Sequence, residues 1–288
     1  MKEEQSIQTT TTENRSDNFC RFDAVVGLPT INVNEITLGD SLELCERIPA
    51  KTVDLILEDM PYNNTNFEWD SAIDLKKYWQ TRWRILKDGG VIVLTSQQPF
   101  ATDLINSERK NFRYEWIWEK SHKLGFPNAN KMPLRNHENI LIFYKKLPTY
   151  NPQKFRVGKD MMSWGRERVQ GENRYGGYTS SMGKSIYADD GTRLPTSIIS
   201  IRNWNRALFK KSTGHIHPTE KPVELFEYFI QTYTNVGELV LDGFGGSGTT
   251  AVACHKSKRN FIVIEKEQKY FDLATRRLDD ERRQLSLL

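Results

Sequence analysis

Short apolar runs alternate with amphipathic segments along most of the chain from about residue 31. Runs such as 53–59 and 91–96 contain few polar breaks, which is typical of strands buried on both faces. Between these two runs, apolar residues at helical spacing predict a helix over 75–87 that ends at Gly89-Gly90. The same pattern predicts further strands at 114–120, 138–146, 238–244 and 260–267, and helices at 223–234, 248–258 and 268–283. This alternation predicts an α/β fold with a mostly parallel sheet that is covered on both faces.

The middle of the chain interrupts the alternation. From residue 148 to about residue 213, Gly, Ser, Arg, Asn and Tyr are frequent and apolar periodicity is weak. The first 18 residues are polar, and residues 1–30 are predicted to be a disordered lead-in. These changes divide the chain into a lead-in (1–30), one half of the main domain (31–147), an inserted region (148–212) and the other half of the main domain (213–288).

Positive charge is concentrated in the inserted region. The whole chain has a net charge of +4, but residues 145–213 contain 14 Lys and Arg residues and five acidic residues, a local charge of +9. The remainder of the chain is therefore acidic, with a charge of −5. A basic segment in an otherwise acidic protein predicts contact with a polyanion such as a nucleic acid.

Composition and cysteine spacing argue against several other classes of protein. No apolar run approaches the roughly 18 residues of a membrane helix, and the N-terminal segment has no apolar signal core, so we expect a cytoplasmic protein without a membrane partner. The three cysteines (Cys20, Cys45 and Cys254) are far apart and form no CxxC pair. We therefore expect neither a disulfide framework nor a metal site.

A glycine-rich turn, VLDGFGGSGTTAVAC, joins a predicted strand to a predicted helix. Glycines let the backbone turn sharply and approach a ligand closely, and the helix N-terminus offers free N–H groups. Glu265 ends the next predicted strand about 20 residues later, where a carboxylate accepts hydrogen bonds from ribose hydroxyls. No Lys follows the last glycine as it does in a P-loop. The pattern favours a nucleoside-type cofactor and leaves both a dinucleotide and S-adenosylmethionine open.

A second short motif, Asp59-Met60-Pro61-Tyr62, ends the strand predicted at 53–59. Pro61 favours an extended conformation at Met60, so the Met60 carbonyl and the Asp59 carboxylate are two acceptors for one donor. The amino group of adenine is such a donor, and Tyr62 offers a flat face on which a base stacks. Taken alone, these four residues also fit an ordinary turn after a strand.

Together these motifs resemble the DNA amino-methyltransferases that modify adenine N6 or cytosine N4. The family's D/N/S-P-P-Y/F/W motif corresponds to residues 59–62, its D-P-F-x-G-S-G-T-T motif to residues 242–250, and its H-P-T-x-K-P motif to residues 217–222. L-G-D at 38–40 and L-K-x-G-G at 86–90 also match. The catalytic motif precedes the cofactor motif, with the basic insert between them, as in the β group. The resemblance implies a doubly wound, Rossmann-like methyltransferase sheet with an inserted target-recognition region.

The resemblance implies roles for individual residues. Asp59, Met60, Pro61 and Tyr62 would form the catalytic motif, which binds the target amine and stacks on the flipped base. S-adenosylmethionine would be held by residues of the cofactor motif and its surroundings: Asp40, Thr219, Lys221, Asp242, Phe244, Gly246, Ser247, Gly248, Thr249 and Glu265. Double-stranded DNA would be contacted by arginines of the insert: Arg156, Arg166, Arg168, Arg174, Arg193, Arg202 and Arg206.

The chain departs from the family pattern at two positions, since Met60 and Gly243 stand where the motifs have proline. Neither change removes a chemical group that methyl transfer uses, and Asp at position 59 resembles the adenine-specific members. A site-specific DNA adenine-N6 methyltransferase is therefore predicted. Activity on cytosine N4 or on RNA is the close alternative; a dinucleotide-dependent oxidoreductase and a non-catalytic DNA-binding protein are alternatives of other classes. A homodimer and a restriction endonuclease partner stay open.

Overall fold

The computed structural model describes residues 21–22, 29–61, 73–158, 190–203 and 220–285. The strands are β1 (Arg21–Phe22), β2 (Ile31–Asn32), β3 (Glu35–Leu38), β4 (Val53–Glu58), β5 (Leu86–Ser96), β6 (Phe112–Leu124), β7 (Arg135–Phe143), β8 (Phe155–Arg156), β9 (Thr192–Arg193), β10 (Ile198–Ser200), β11 (Leu239–Asp242) and β12 (Asn260–Glu265). The helices are α1 (Ser41–Leu44), α2 (Leu75–Ile85), α3 (Phe100–Ser107), α4 (Val223–Tyr233), α5 (Thr249–Ser257) and α6 (Gln268–Leu285).

Eight of these strands form one sheet in the order β10-β6-β7-β5-β4-β11-β12-β3. β7 is antiparallel to both of its neighbours, and the other pairings, from β5 through β4, β11 and β12 to β3 and between β6 and β10, are parallel. The expectation of a mostly parallel α/β sheet is confirmed. β4 and β11, which are far apart in the sequence, lie side by side in its centre.

The apolar runs are continuous because the sheet is covered on both faces. Ile56 of β4 packs with α1, α2 and α3, whereas its neighbours Leu55 and Leu57 pack with α4, α5 and α6. Residues 91–94 of β5 alternate between the same two clusters. Since successive strand residues point to opposite faces, a strand with helices on both sides must be apolar at nearly every position.

The prediction for the end of α2 was wrong. The helix ends at Ile85, not near 87, and residues 86–90 join β5. Leu86 is buried, has an extended conformation and pairs with Val53 in the sheet. Gly89 and Gly90 therefore lie in a strand, and burial of Leu86 against the sheet outweighs continuation of the helix.

Several short elements were not predicted: the helices α1 and α3, the edge strand β3, and the strands β1, β2, β8, β9 and β10. α1 has four residues and α3 has eight, and such short helices give too few positions for a helical pattern of apolar residues to be recognised. β10, from the predicted insert, adds a three-residue parallel strand beside β6. Among the residues that the structure describes, no helix combines the length and apolar character that crossing a membrane requires.

Candidate functional site

The two sequence motifs meet at one edge of the sheet. β4 and β11 run parallel, with Leu55 beside Val240 and Ile56 beside Leu241. Asp59, which follows β4, and the turn at 243–248, which follows β11, therefore emerge at the same carboxyl edge. Ligands bind at such edges in doubly wound sheets. β12 ends at Glu265 on the other side of β11, as predicted.

Lys221 and Thr95 are among the donors that hold Asp59. The Lys221 ammonium lies 2.5 Å from its Oδ2, and the Thr95 hydroxyl donates to its Oδ1. The Asp59 side chain is 18% exposed and that of Lys221 only 6%. Although burial opposes a charge on Lys221, the carboxylates of Asp59 and Glu138 raise its pKa above the usual value. Asp59 therefore lies against a buried cation at the carboxyl edge of the sheet.

The remaining residues of the catalytic motif are placed in part. The Met60 side chain is buried in the cluster that covers the α1–α3 face of the sheet. It therefore contributes apolar packing that the family's proline would not supply to the same extent. Pro61 is partly buried. Tyr62 lies outside the described residues, so its stacking role stays a prediction.

A buried cluster of charges extends from Asp59 to the β6–β7 pair. Glu138 of β7 lies 3.5 Å from the Lys221 ammonium and also pairs with Lys120 of β6. Gln97 donates to the same carboxylate at 2.8 Å. Burial lowers the pKa of Lys120, and the Glu138 carboxylate opposes this shift. The sequence signal for this cluster was present but weak: Glu138 and Lys120 are charged residues at the ends of apolar strands.

The glycine turn is fixed by carboxylates on both sides. Asp242 accepts the Phe244 N–H at 2.9 Å and the Thr250 hydroxyl, and its burial raises its pKa to about 8. Glu265 accepts the Gly246 N–H at 2.6 Å and the Glu267 N–H at 2.8 Å. Burial raises the Glu265 pKa, against these backbone donors. The structure thus places Asp242 beneath the turn and Glu265 along its side.

The absence of a side chain at position 243 leaves room for a buried ion pair between Glu58 and Arg82 next to the turn. The Gly243 N–H donates to Glu58 Oε1 at 3.0 Å, and Arg82 donates to the same carboxylate from Nε at 3.0 Å. Tyr78 and Ser41 complete this fully buried network. A Cβ at position 243 would overlap the Ser41 hydroxyl and the Arg82 guanidinium and lie 2.7 Å from Glu58 Oε1. A proline would also lack the donated N–H.

The other predicted cofactor residues lie around the turn. Asp40 accepts the Leu42 N–H at 2.8 Å and pairs with Lys266 at 3.2 Å; burial opposes its charge, but these donors lower its pKa. Gly248 has φ 77°, which glycine tolerates better than other residues. Ser247 and Thr249 contact Arg277, and Thr249 donates to the Lys221 carbonyl at 3.2 Å. Thr219 lies outside the described residues.

This edge of the sheet fits a nucleoside cofactor. The glycine turn after β11 lets a ligand come close to the backbone. The neighbouring strand β12 ends at the carboxylate Glu265, and β3, the strand beside β12, is followed by the carboxylate Asp40. Phe244 lies in the turn and is partly buried, with its ring centroid 5.9 Å from the Arg82 guanidinium carbon. An adenosine requires an apolar contact for its base and carboxylate acceptors for its ribose hydroxyls.

The predicted DNA-binding arginines are only partly described. Arg156 and Arg193 lie on the two strands of the β8–β9 ladder, where Arg156 is opposite Thr192 and Arg193 is opposite Phe155, and Arg202 is exposed after β10. Arg166, Arg168, Arg174 and Arg206 lie outside the described residues. The described residues include no group of three or more His, Cys, Asp or Glu that would hold a metal ion.

Comparison with known proteins assigns this arrangement to a family. The family model N6_N4_Mtase, described as DNA methylase, matches residues 53–276. The chain is 27% identical to Type II methyltransferase M1.MboII of Moraxella bovis over 258 residues, which is 85% of this chain and 96% of that protein. It is 29% identical to Type II methyltransferase M.BglII of Bacillus subtilis over 280 residues, covering 88% of this chain and 71% of the relative.

Solved structures have the same fold. The crystal structure of the M1.HpyAVI–SAM complex matches with a TM-score of 0.56 and 22% identity, covering 85% of this chain and 99% of that chain. The PvuII DNA methyltransferase, described as cytosine-N4-specific, matches with a TM-score of 0.60 and 19% identity, covering 86% and 90%. At these identities the likeness concerns the fold.

Proposed function

The chain belongs to the N6_N4_Mtase family of DNA methylases, and we propose that it methylates the N6 amino group of adenine in DNA with S-adenosylmethionine as methyl donor. The observation that carries the proposal is the position of Lys221. Its ammonium holds Asp59, and its backbone carbonyl accepts the Thr249 hydroxyl at the start of α5. One residue thus joins the catalytic acid to the cofactor turn.

Asp59 acts on the target amine as a hydrogen-bond acceptor. The lone pair of an adenine amino group is delocalised into the ring, so the nitrogen is a poor nucleophile. Donation of its hydrogens to Asp59 and to the Met60 carbonyl favours a pyramidal nitrogen with an exposed lone pair. Lys221 and Thr95 fix the Asp59 carboxylate in one orientation, which aligns the nitrogen before reaction.

The cofactor supplies an electrophilic sulfonium methyl group. When bound, it would give up this methyl group to the amine nitrogen as its C–S bond breaks, and the methylated amine would release one proton to water. In this proposal Phe244, Gly246 and Gly248 contact the cofactor, while Glu265 and Asp40 accept hydrogen bonds from its ribose and its adenine end. Asp242, Ser247 and Thr249 keep the turn in shape, as their contacts within the protein suggest. The M1.HpyAVI structure described as a SAM complex supports the choice of cofactor.

Adenine is the proposed target because position 59 is Asp. Cytosine N4 is the second candidate, because a cytosine-N4-specific enzyme is among the proteins with this fold. Labelled S-adenosylmethionine and defined duplexes distinguish the two when the modified nucleoside is identified. N6-methyladenine supports the proposal, whereas N4-methylcytosine alone contradicts it. Modification mapping of genomic DNA from cells with and without the gene gives the target sequence.

Asp59→Ala is expected to abolish methylation and to spare DNA binding. Loss of one preorganised hydrogen-bonding group in an active site costs about 100-fold or more in rate. The matched control is Asp280→Ala, which removes an exposed aspartate paired with Arg283 on α6. Single-turnover methylation and duplex binding are measured for both variants. Wild-type rates in Asp59→Ala would refute the assignment of Asp59.

The biological setting is proposed from the relatives. Those named above are Type II methyltransferases, so we assign this chain to protective DNA modification in a restriction–modification system, in the cytoplasm where that DNA lies. The basic insert, with Arg156, Arg193 and Arg202 among its described residues, is the proposed DNA clamp. An endonuclease partner and a homodimer are expected to show as co-purification and as a doubled mass in solution.

A further inference from the structure

The β6–β7 hairpin projects beyond the edge of the sheet on which Asp59 lies. β5 ends at Ser96, opposite Asn139 of β7, but the β6–β7 ladder continues to the pair Leu124–Arg135. Four further residues of β7, at roughly 3.4 Å each, carry the hairpin about 14 Å past the end of β5. Residues 121–135, here called the hairpin tip, therefore stand above the candidate site.

The hairpin tip has an unusual surface. It contains Lys123, Lys131 and Arg135, all exposed, and no acidic residue. Three apolar side chains are also exposed there: Leu124 is 45% exposed, Phe126 65% and Met132 55%. Exposed apolar side chains that cluster among cations commonly mark an interaction site. A polyanion with apolar faces, such as DNA with its stacked bases, complements both features.

The tip is an ordered structure that presents Phe126 in a fixed place. Gly125, with φ 95°, begins a 3₁₀ turn over Phe126–Asn128. The Asn128 N–H donates to the Gly125 carbonyl, and the Lys131 N–H to the Asn128 carbonyl, both at 2.9 Å. An aromatic ring on an ordered turn loses less conformational entropy on insertion than one on a mobile loop.

The base of the hairpin is tied to the catalytic acid. Lys120 and Glu138 form a buried pair across β6 and β7, and Glu138 approaches Lys221, which holds Asp59. Arg135 donates to Gln97, which follows β5, at 3.0 Å. The base of the hairpin is therefore fixed relative to Asp59 by buried ion pairs and by one exposed hydrogen bond. The Phe126 ring at the tip therefore has a defined position relative to a base bound at Asp59.

We propose that the hairpin tip is a DNA-contacting wedge, in which Phe126 enters the base stack next to the target base while Lys123 and Lys131 contact flanking phosphates. The inference rests on the proposed function, because a base must leave the duplex to reach Asp59. Extrusion leaves a gap that costs a few kcal/mol of stacking, and apolar wedges fill such gaps in other DNA-binding proteins. The partner is double-stranded DNA that contains the target sequence.

Phe126→Ala tests the wedge, with Val236→Ala as the matched control. Val236 is 68% exposed and lies in the turn between α4 and β11, at the opposite edge of the sheet. The target base is replaced by 2-aminopurine, whose fluorescence rises when it leaves the stack. Since stacking of a base on an aromatic side chain is worth about 1–3 kcal/mol, Phe126→Ala should weaken duplex binding about 5- to 150-fold and reduce the fluorescence rise. Phe126→Trp should restore both, and thermal unfolding should stay unchanged.

The phosphate contacts are tested by salt dependence. Each lost phosphate contact lowers the slope of log K against log salt by about 0.9, so Lys123→Ala/Lys131→Ala should lower it by about 2. The control is Lys256→Ala, an exposed lysine in the last turn of α5. An unchanged slope in the double variant would remove the phosphate assignment.

The outcomes separate the wedge from the proposed function. If the wild-type protein methylates no DNA, the proposed function fails. If it methylates DNA and Phe126→Ala behaves like Val236→Ala in binding and fluorescence, the wedge is refuted. If Phe126→Ala instead dissociates a wild-type dimer and leaves fluorescence unchanged, the tip binds a second copy of the chain and the DNA assignment is overturned.

Discussion

Lys221 fixes the orientation of Asp59, the proposed acceptor for the target amine. A carboxylate that binds an amine must be ionised and must not rotate away. The ammonium at 2.5 Å satisfies both needs, and its own charge is stabilised by Asp59 and Glu138 together. The family motif led us to expect Lys221 near the methionine part of the cofactor. Its side chain points to Asp59, and its contact with the cofactor stays a prediction.

Lys221→Met is expected to reduce both stability and activity. The substitution keeps the apolar stem but leaves Asp59 and Glu138 without their shared cation, and removal of one partner from a buried pair typically costs about 3 kcal/mol or more. Lys146→Met is the control, because its ion pair with Asp88 is largely exposed and contributes at most about 1 kcal/mol. Urea unfolding gives the free energies. Equal losses in the two variants would argue against a structural role of the buried pair.

Asp242 should make stability fall between about pH 4 and pH 8. Burial raises its pKa from 3.8 to about 8, so over this interval the folded protein holds a proton that the unfolded chain has released. Its contribution is complete below pH 4, declines as pH rises through 8 and is constant above. Asp242→Asn should flatten this decline. Urea unfolding at pH 5, 6.5, 8 and 9 measures it, and parallel curves for the two proteins would contradict the raised pKa.

At the scale of elements, the glycine turn and α2 are coupled through one buried ion pair. Glu58 lies at the end of β4, Arg82 lies on α2, and Gly243 donates its N–H to the same carboxylate. The family's proline at position 243 would give a stiffer turn but no donor. In this chain the Glu58–Arg82 ion pair holds the turn in place through the Gly243 N–H, and this contact compensates for the missing proline.

Substitution of Gly243 is therefore expected to be costly even though the family has proline there. Gly243→Ala should destabilise the protein by about 2 kcal/mol through overlap with Ser41 and Arg82, and Gly243→Pro by more, since Glu58 also loses a donor. Gly89→Ala is the control, because a Cβ at position 89 would point into open space, and it should change stability by at most about 0.5 kcal/mol. A more stable Gly243→Pro variant would show that the ion pair does not fix the turn.

Strand ends were predictable from the sequence, but contacts between distant charges were not. Asp59 and Glu265 follow or end apolar runs whose length is set by burial in the sheet, so their positions could be read from the pattern. Glu58 and Arg82 are 24 residues apart, and a charge in a strand or helix usually faces solvent. β10 has three residues, too few for a periodic signal. The end of α2 was misjudged because tertiary pairing of Leu86 decided it.

At the scale of the whole molecule, the site exists only where two distant parts of the chain meet. Lys221 contacts Asp59 across 162 residues of sequence, and the N–H groups of Leu239 and Gly243 donate to Asp54 and Glu58 across 185 residues each. These contacts run along the β4–β11 boundary from one edge of the sheet to the other. The cofactor is expected to bind at this boundary and at β12, so its binding should stabilise the fold as a unit.

S-adenosylmethionine at 100 times its Kd should therefore raise the free energy of unfolding by about 2.7 kcal/mol, because it binds the folded edge and not the unfolded chain. The midpoint of thermal unfolding should rise by about 5 °C. Glu265→Gln should lose most of the shift, since the proposed ribose contact is weakened and one of the two backbone N–H groups, that of Gly246 on Oε2 or that of Glu267 on Oε1, loses its acceptor. Each variant is compared with its own midpoint without ligand. NAD should give no shift, and a shift with NAD but not with S-adenosylmethionine would overturn the cofactor assignment.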